Sequence, residues 1–100
     1  MGFFPFYMDI GGQKGVIAGG GKVAFRKVQK LLPFGPSLWV VAPNIEEPLK
    51  KLAAERNENC RLVRRRIRRE DLQGAGFAIA ATDDKAVNEQ IFLWCQEHRI

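Results

Sequence analysis

The sequence has few of the residues that cross-link small proteins or bind metals. It contains two cysteines, Cys60 and Cys95, and a single histidine, His98. This number and spacing exclude a disulfide framework and a paired metal-binding knuckle, so no metal site is predicted. The cysteines are interpreted as reduced thiols, with a single disulfide between them left open. Ten glycines and five prolines follow no period, which excludes a collagen-like chain.

Long apolar segments and targeting signals are also lacking. No apolar run approaches the ~20 residues of a membrane-spanning helix, so no contact with a membrane is expected. The first ten residues are apolar but have no basic leader, and Pro5 and Asp9 interrupt them, unlike a secretory signal. Phe6 stands where an N-myristoylation motif requires Ser or Thr. The predicted location is therefore the cytoplasm.

The overall composition is typical of one folded domain. Its formal net charge is +5. Hydrophobic residues make up 46% of the chain, and Leu, Ile, Val and Phe alone exceed the level of about one fifth below which disorder is expected. One hundred residues are enough for one core and too few for two independent ones. Residues 1–100 are therefore predicted to form a single domain.

Apolar runs and turn residues alternate in an order typical of an α/β protein. The predicted strands lie at residues 14–18, 38–42, 76–81 and, more weakly, 61–63. These runs are continuous rather than alternating in polarity, which indicates strands buried on both faces of a sheet. Helical patterns begin at Lys22, at Glu47–Pro48 and after Thr82–Asp84, so the element order is β-α-β-α-β-β-α. The prediction is an open, mainly parallel sheet with helices on both faces.

The segment between the first predicted strand and helix reads Gly19-Gly20-Gly21-Lys22-Val23-Ala24. It fits the pattern G-x-G-x-x-G/A. In that pattern the first glycine, here Gly19, makes a tight turn, and the second motif glycine, here Gly21, lets the backbone approach a pyrophosphate. The third small residue lets the helix pack closely on the strand. The flanking strand and helix favour dinucleotide binding, and the alternative is a glycine-rich turn that binds nothing.

The end of the second predicted strand bears on the choice between NAD and NADP. NAD-binding domains of this kind usually carry an acid there, which holds the ribose 2′-OH. The chain has Ala42-Pro43-Asn44 at this position, with Glu46 a little further on. The Asn44 amide is able to hydrogen-bond a ribose hydroxyl. Because the position is uncharged, the residues alone leave NAD and NADP open.

A wider set of motifs spans nearly the whole chain. These motifs are Phe4-Pro5-Phe6, Gly19–Lys27 (Gly-Gly-Gly-Lys-Val-Ala-Phe-Arg-Lys), Val40-Val41-Ala42-Pro43, Asp71-Leu72 and Ala80-Ala81-Thr82-Asp83-Asp84 with Asn88. In this order they resemble the N-terminal domain of the precorrin-2 dehydrogenase/sirohydrochlorin ferrochelatase family, the sirohaem synthases. The combination is far more specific than the glycine turn alone.

The resemblance implies a Rossmann-like fold and NAD-dependent oxidation of precorrin-2 to sirohydrochlorin, in sirohaem biosynthesis. It places the NAD contacts on Lys22–Val23, after the glycine turn, and on Pro43–Asn44, after the second strand. Thr82 and Asp83 are second-rank candidates at the carboxyl end of the fourth strand, and a helix cap explains them at least as well. No catalytic residue is assigned within the chain.

The resemblance also implies elements that these 100 residues do not contain. Family members continue into a further strand that ends in a catalytic aspartate, then into a dimerisation segment and a helical tail. We therefore expect the chain to be the N-terminal part of a longer protein, inactive without that aspartate and a homodimer when complete. Some members also insert ferrous iron into the product, and the residues do not decide whether this protein does.

A basic run accompanies the third predicted strand. Its six arginines are Arg61, Arg64, Arg65, Arg66, Arg68 and Arg69, with no acid among them. Three interpretations are open: a solvated sheet edge, a field that steers a polycarboxylate tetrapyrrole or an anionic cofactor, and nucleic-acid binding. Nucleic acid is the least favoured, because no aromatic residue is interleaved with the arginines. The alternative function is a non-enzymatic, dinucleotide-sensing or basic nucleic-acid-binding module with the same fold.

Overall fold

The computed structural model describes residues 2, 7–56 and 58–100. Within them the predicted strands and helices form in the predicted order, and each begins within one residue of its predicted start. They are β1 (Lys14–Ala18), α1 (Lys22–Leu31), β2 (Ser37–Val41), α2 (Glu47–Glu55), β3 (Cys60–Val63), β4 (Ala75–Ala80) and α3 (Lys85–His98). Short 3-10 turns follow α1 and precede β4, at Leu32–Phe34 and Arg69–Leu72. The motif Phe4-Pro5-Phe6 lies outside the described residues.

The strands form one parallel sheet with the order β3-β2-β1-β4. The chain leaves β1 for β2 and β3 on one side and returns with β4 to the other side of β1. After β1 the chain continues into α1 on one face of the sheet, and after β4 it continues into α3 on the opposite face. A crevice therefore forms between the two connections, at the carboxyl ends of these strands. Open α/β sheets bind their ligands at such a switch point. The predicted Rossmann-like, parallel architecture is confirmed.

The sheet face covered by α1 and α2 holds the larger core. Ile17 of β1 and Val40 of β2 are fully buried there, against Ala24 and Val28 of α1 and Leu49 of α2. The two α1 residues are four positions apart and so lie on one stripe of the helix, with basic residues on the other side. Burial of each large aliphatic side chain contributes about 1.5–3 kcal/mol. This packing fixes the position of α1 and hence of the glycine turn before it.

The opposite face is covered less completely. Val16, Val41 and Leu72 are buried there, and Trp94 of α3 packs against them while partly exposed. Helices therefore lie on both faces of the sheet, as the continuous apolar strands predicted. None of the helices in residues 7–56 and 58–100 combines the length and the apolar character needed to cross a membrane.

The sheet separates the two cysteines. Cys60 of β3 is buried in the core beneath α1 and α2, whereas Cys95 of α3 packs against the opposite face. Both are free, so the disulfide that the sequence left open does not form. Burial raises the pKa of Cys60 to about 11 and also raises the pKa of Cys95. Both thiols are therefore protonated at neutral pH and poorly reactive.

A glycine inside β1 is explained by the strand beside it. Gly15 pairs with Phe77 of β4, next to a register shift between Lys14 and Gly15. A Cβ on Gly15 would lie 2.2 Å from Cζ of Phe77 and 2.9 Å from Cδ2 of Leu38. Glycine costs some strand stability, but here it makes room for the aromatic ring in the core.

The segment between β3 and β4 is held by Asp71. The Arg65 guanidinium donates two hydrogen bonds to its carboxylate, at 2.7 and 2.5 Å, and the backbone N–H of Arg68 donates a third, at 2.7 Å. Burial by itself would raise the pKa of Asp71, but the donors from Arg65 and Arg68 outweigh it, so the pKa lies below its ordinary value. The adjacent Leu72 is fully buried. The pair Asp71-Leu72 thus closes this segment onto the sheet.

We expect Asp71→Asn to lower the free energy of unfolding by about 2 kcal/mol at pH 7, since hydrogen bonds to a charged group contribute about 1.5–3 kcal/mol. The folded-state pKa of Asp71 lies below the unfolded value of about 3.9. The stabilisation is therefore complete above that unfolded value and is lost as the pH falls through the folded one. Urea unfolding at pH 7 and at pH 3 measures the difference, which should be smaller at pH 3.

Glu70→Gln is the matched control. Glu70 is the exposed neighbour of Asp71 and forms no ion pair with the other described residues. Its replacement should change the free energy of unfolding by no more than about 0.5 kcal/mol. Equal effects of the two substitutions would contradict the role assigned to Asp71.

Candidate functional site

A cleft of about 470 Å³ opens at the carboxyl ends of β1, β2 and β4. It is lined by Gly19, Gly20, Gly21, Lys22, Val23, Ala42, Pro43, Asn44, Glu46, Ala81, Thr82 and Asp83. The structure thus brings together every residue that the sequence nominated for cofactor binding. It adds Ala42 and Ala81, which continue two strands, and the carboxylate residue Glu46.

Backbone hydrogen bonds hold the three loops of the cleft together. The N–H of Gly19 donates to the carbonyl of Val41 at 3.1 Å, and the N–H of Ala81 donates to the carbonyl of Ala18 at 2.8 Å. The N–H of Glu46 donates to the carbonyl of Gly20 at 2.8 Å. The loops after β2 and β4 are therefore both attached to the turn after β1, and the shape of the cleft follows from these bonds.

Gly19 makes the turn that the motif predicts. Its φ of +140° is a backbone conformation that side chains disfavour. A Cβ there would also lie 2.4 Å from the carbonyl oxygen of Ala81. At the other end of the motif, Ala24 is fully buried between α1 and the sheet. The packing roles of the first and last small residues are thus those expected of this pattern.

Gly20 is required for a reason that the motif does not contain. A Cβ on Gly20 would lie 2.1 Å from the carbonyl oxygen of Asn44 and 2.9 Å from Cα of Ile45. Both are backbone atoms of the loop after β2, so neither moves without displacing that loop. The pattern leaves its second position unspecified, and only the tertiary contact reveals this requirement.

Gly21 lines the cleft and directly precedes α1. It is the N-cap residue, with no side-chain cap, and the first turn of the helix contains no acidic residue. The first N–H groups of a helix have no intrahelical partner and attract anions. A Cβ on Gly21 would meet one described atom within 4 Å, Oε2 of Glu46 at 2.9 Å. The helix N-terminus is thus open toward the cleft.

Thr82 has a structural role in addition to its place in the cleft. Its hydroxyl donates to Oδ1 of Asn88 at 2.6 Å, and the Asn88 amide donates back to the Thr82 carbonyl at 3.1 Å. The helix cap predicted over Thr82–Asp84 is formed by Asp84, whose carboxylate accepts from the N–H groups of Ala86 and Val87. The exposed side chain of Asp83 is not part of this cap.

A second cleft, of about 320 Å³, adjoins the first on the α3 side of the sheet. The two clefts share Ala42, Pro43, Thr82 and Asp83. The remaining lining residues are Val41, Arg66, Ile67, Asp84, Val87, Gln90 and Trp94. The walls combine an apolar surface with three charged side chains, those of Arg66, Asp83 and Asp84.

The arginines of the basic run lie in different environments in the folded protein. Arg65 pairs with Asp71, and Arg69 pairs with Glu97 of α3. Arg66 instead lines the second cleft. Part of the run therefore stabilises the fold, and part of it contributes positive charge beside the clefts.

Comparison with known proteins identifies the family. Residues 6–100 match a family model described as "Putative NAD(P)-binding". The precorrin-2 dehydrogenase of Bacillus subtilis (strain 168) is 38% identical over 87 residues, which cover 87% of this chain and 52% of that protein. The siroheme synthase of Pseudomonas fluorescens (strain Pf0-1) is 40% identical over 91 residues, which cover 91% of this chain and 19% of that protein.

A solved structure has the same fold. SirC, a precorrin-2 dehydrogenase, superposes with a TM-score of 0.78 at 30% identity, over 87% of this chain and 43% of that one. The chain thus spans about half, or less, of the length of these relatives. The resemblance seen in the sequence is confirmed, and so is the prediction of a dinucleotide-binding fold. The chain belongs to the NAD(P)-binding family that its residues 6–100 match.

Proposed function

We propose that residues 1–100 form the NAD⁺-binding domain of a longer precorrin-2 dehydrogenase and lie in its N-terminal part. The relatives named precorrin-2 dehydrogenase and siroheme synthase support this activity. The share of each relative that the chain covers supports its role as one domain of a larger enzyme.

The observation that carries the proposal is the cleft at the carboxyl ends of β1, β2 and β4. All nine residues nominated from the sequence line it. Gly21 leaves an opening toward the uncapped start of α1, an opening that a larger side chain would fill. The described residues therefore fit a ligand that carries a pyrophosphate.

Each part of the cleft has a role in this proposal. Gly19–Gly21 and the first N–H groups of α1, at Lys22–Val23, hold the pyrophosphate, and the Lys22 ammonium adds positive charge. Pro43–Asn44 lie beside the adenosine ribose. Thr82–Asp83 complete the rim on the β4 side, where Asn88 keeps Thr82 in place.

The reaction that follows is a dehydrogenation. NAD⁺ held by Gly19–Gly21 and the start of α1 would supply the hydride acceptor for the oxidation of precorrin-2 to sirohydrochlorin, in which the substrate also releases a proton. The residues of this domain orient the two molecules and supply electrostatic attraction. Arg66 lines the second cleft together with Asp83 and Asp84, and its positive charge would attract a carboxylate of a tetrapyrrole bound there. The catalytic aspartate belongs, by the family resemblance, to the strand that follows this domain.

Iron insertion, a homodimer and a cytoplasmic location remain predictions from the sequence. The part of the chain that the structure describes contains no group of three or more His, Cys, Asp or Glu side chains suited to a metal ion. Ferrous iron, if it is a substrate of the complete enzyme, would therefore need ligands from other residues.

Gly21→Val should abolish NAD⁺ binding, because the added side chain fills the space above the start of α1. Isothermal titration calorimetry of both proteins with NAD⁺ measures this. The backbone at Gly21 is extended (φ −100°), a conformation that valine adopts, and its Cβ would displace only the flexible end of the Glu46 side chain, so a thermal unfolding scan should find the variant folded. Equal heats of binding for variant and wild type would contradict the assignment of the turn.

The same protein also allows a test of the alternative function, a nucleic-acid-binding module. A titration with duplex DNA and with RNA at rising salt measures phosphate-dominated binding, whose affinity falls steeply with salt. Tight, salt-dependent binding together with no NAD⁺ binding would favour that module over the dehydrogenase domain.

Alanine substitutions at the adjacent Gly20 and Gly21 should separate an effect on folding from an effect on ligand binding. Gly20→Ala places a methyl group against the backbone of Asn44 and Ile45. We expect it to lower the free energy of unfolding by about 1–3 kcal/mol, the usual cost of overpacking. Gly21→Ala meets only the flexible carboxylate of Glu46 and should cost less than about 1 kcal/mol.

Urea unfolding of both alanine variants, followed by titration with NAD⁺, tests this pair. Gly21→Ala should remain folded and bind NAD⁺ more weakly than the wild type. If Gly20→Ala were as stable as the wild type, the contact between the turn and the loop after β2 would not be the constraint proposed for it.

A further inference from the structure

We infer that Glu46 is the residue that selects NAD⁺ over NADP⁺, by accepting hydrogen bonds from the adenosine ribose hydroxyls and repelling a 2′-phosphate. This inference rests on the proposed function, because it assigns a ligand group to the same cleft. It supplies the acid that is absent from Ala42-Pro43-Asn44, directly after β2.

The backbone fixes Glu46 beside the glycine turn. Its N–H donates to the carbonyl of Gly20 at 2.8 Å, and the residue is the N-cap of α2, so its backbone is extended. The side chain lines the cleft. Oε2 lies 2.9 Å from the point that a Cβ on Gly21 would occupy. The carboxylate is therefore directly above the part of the turn that a dinucleotide must approach.

The carboxylate of Glu46 has no partner among the described residues. It forms no ion pair or side-chain hydrogen bond there, and it does not cap α2. The next residue, Glu47, differs in this respect, because it pairs with Lys50 at 3.3 Å and does not line the cleft. Both glutamates are exposed, but only Glu46 lines the cleft, and only Glu47 has an ion-pair partner among the described residues.

The chemistry of a carboxylate matches a ribose diol. An ionised carboxylate only accepts hydrogen bonds, and the 2′- and 3′-hydroxyls of a ribose are donors. A 2′-phosphate offers negative charge in place of the 2′ donor, so it is repelled at the same point. Domains that bind NADP accommodate this phosphate with a nearby arginine. The described residues that line the cleft include no arginine, and Lys22 is their basic side chain.

The same geometry limits where the pyrophosphate lies. A phosphate is unfavourable next to Glu46 and favourable at the first N–H groups of α1. The ribose hydroxyls are therefore expected on the Glu46 side of Gly21, and the pyrophosphate on the Lys22–Val23 side. Asn44 shares the ribose side of the cleft but carries no charge, so it does not distinguish a hydroxyl from a phosphate.

The first test compares NAD⁺ and NADP⁺ on three proteins by isothermal titration calorimetry at one fixed ionic strength. Wild type should bind NAD⁺ at least about tenfold more tightly than NADP⁺, the effect of one hydrogen bond to a charged group. Glu46→Gln removes the charge with little change in shape, and the ratio should fall to about threefold or less. Glu47→Gln is the matched control and should keep the wild-type ratio.

The second test uses the ligand instead of a variant. 2′-Deoxy-NAD⁺ lacks the hydroxyl that Glu46 would accept from, so wild type should bind it about tenfold more weakly than NAD⁺. Glu46→Gln should discriminate much less between these two ligands, because the stronger partner is already removed. The four affinities form a thermodynamic cycle that isolates the contact between Glu46 and the 2′-hydroxyl.

The outcomes separate this inference from the proposed function. A wild type that binds neither NAD⁺ nor NADP⁺ would overturn the proposed function, and the inference with it. A wild type that binds NAD⁺, together with a Glu46→Gln variant whose ratio is unchanged, would overturn the inference alone. If the effects of Glu46→Gln and of removing the 2′-hydroxyl were simply additive, the inference alone would also be overturned. A collapsed ratio in Glu46→Gln, but not in Glu47→Gln, would support it.

Discussion

The candidate site depends on direct backbone contact between the turn after β1 and two other loops. Gly19 lies against the carbonyl of Ala81, and Gly20 lies against the backbone of Asn44 and Ile45. Hydrogen bonds from Ala81 to Ala18 and from Glu46 to Gly20 hold the loops at this distance. Because β2 and β4 lie on either side of β1, the parallel strand order brings both loops to one turn. A side chain at either glycine would force the loops apart and change the cleft between them.

Three adjacent glycines consequently meet three different requirements. Gly19 needs its backbone conformation, Gly20 needs the absence of a side chain against another loop, and Gly21 keeps the helix start accessible. The first two requirements concern folding, and the third concerns the ligand. The requirements of a stable turn and of a binding site are therefore met by different, neighbouring residues.

The less covered face of the sheet is stabilised by charged side chains as well as by apolar packing. Lys14 and Arg61 lie over the ring of Trp39, each 5.1 Å from its centre. Contacts of this kind contribute about 0.5–1 kcal/mol at exposed sites, and the long side chains also cover apolar surface. Further along the chain, Asp71 and Arg65 close the segment before β4. Several residues of the basic region are thus part of the fold, which their spacing along the chain does not reveal.

The amino-acid sequence alone determined the element order, the parallel sheet and the nature of the glycine turn. Continuous apolar runs require burial on both faces, and a run of small residues between a strand and a helix predicts a tight turn, so these local patterns predict the structure directly. Tertiary structure alone decided the remaining features. The need for glycine at position 20, the pairing of Arg69 with Glu97 and the location of Glu46 above Gly21 all depend on atoms far apart in sequence. Such contacts are set by how the loops meet in three dimensions, and no spacing along the chain encodes them.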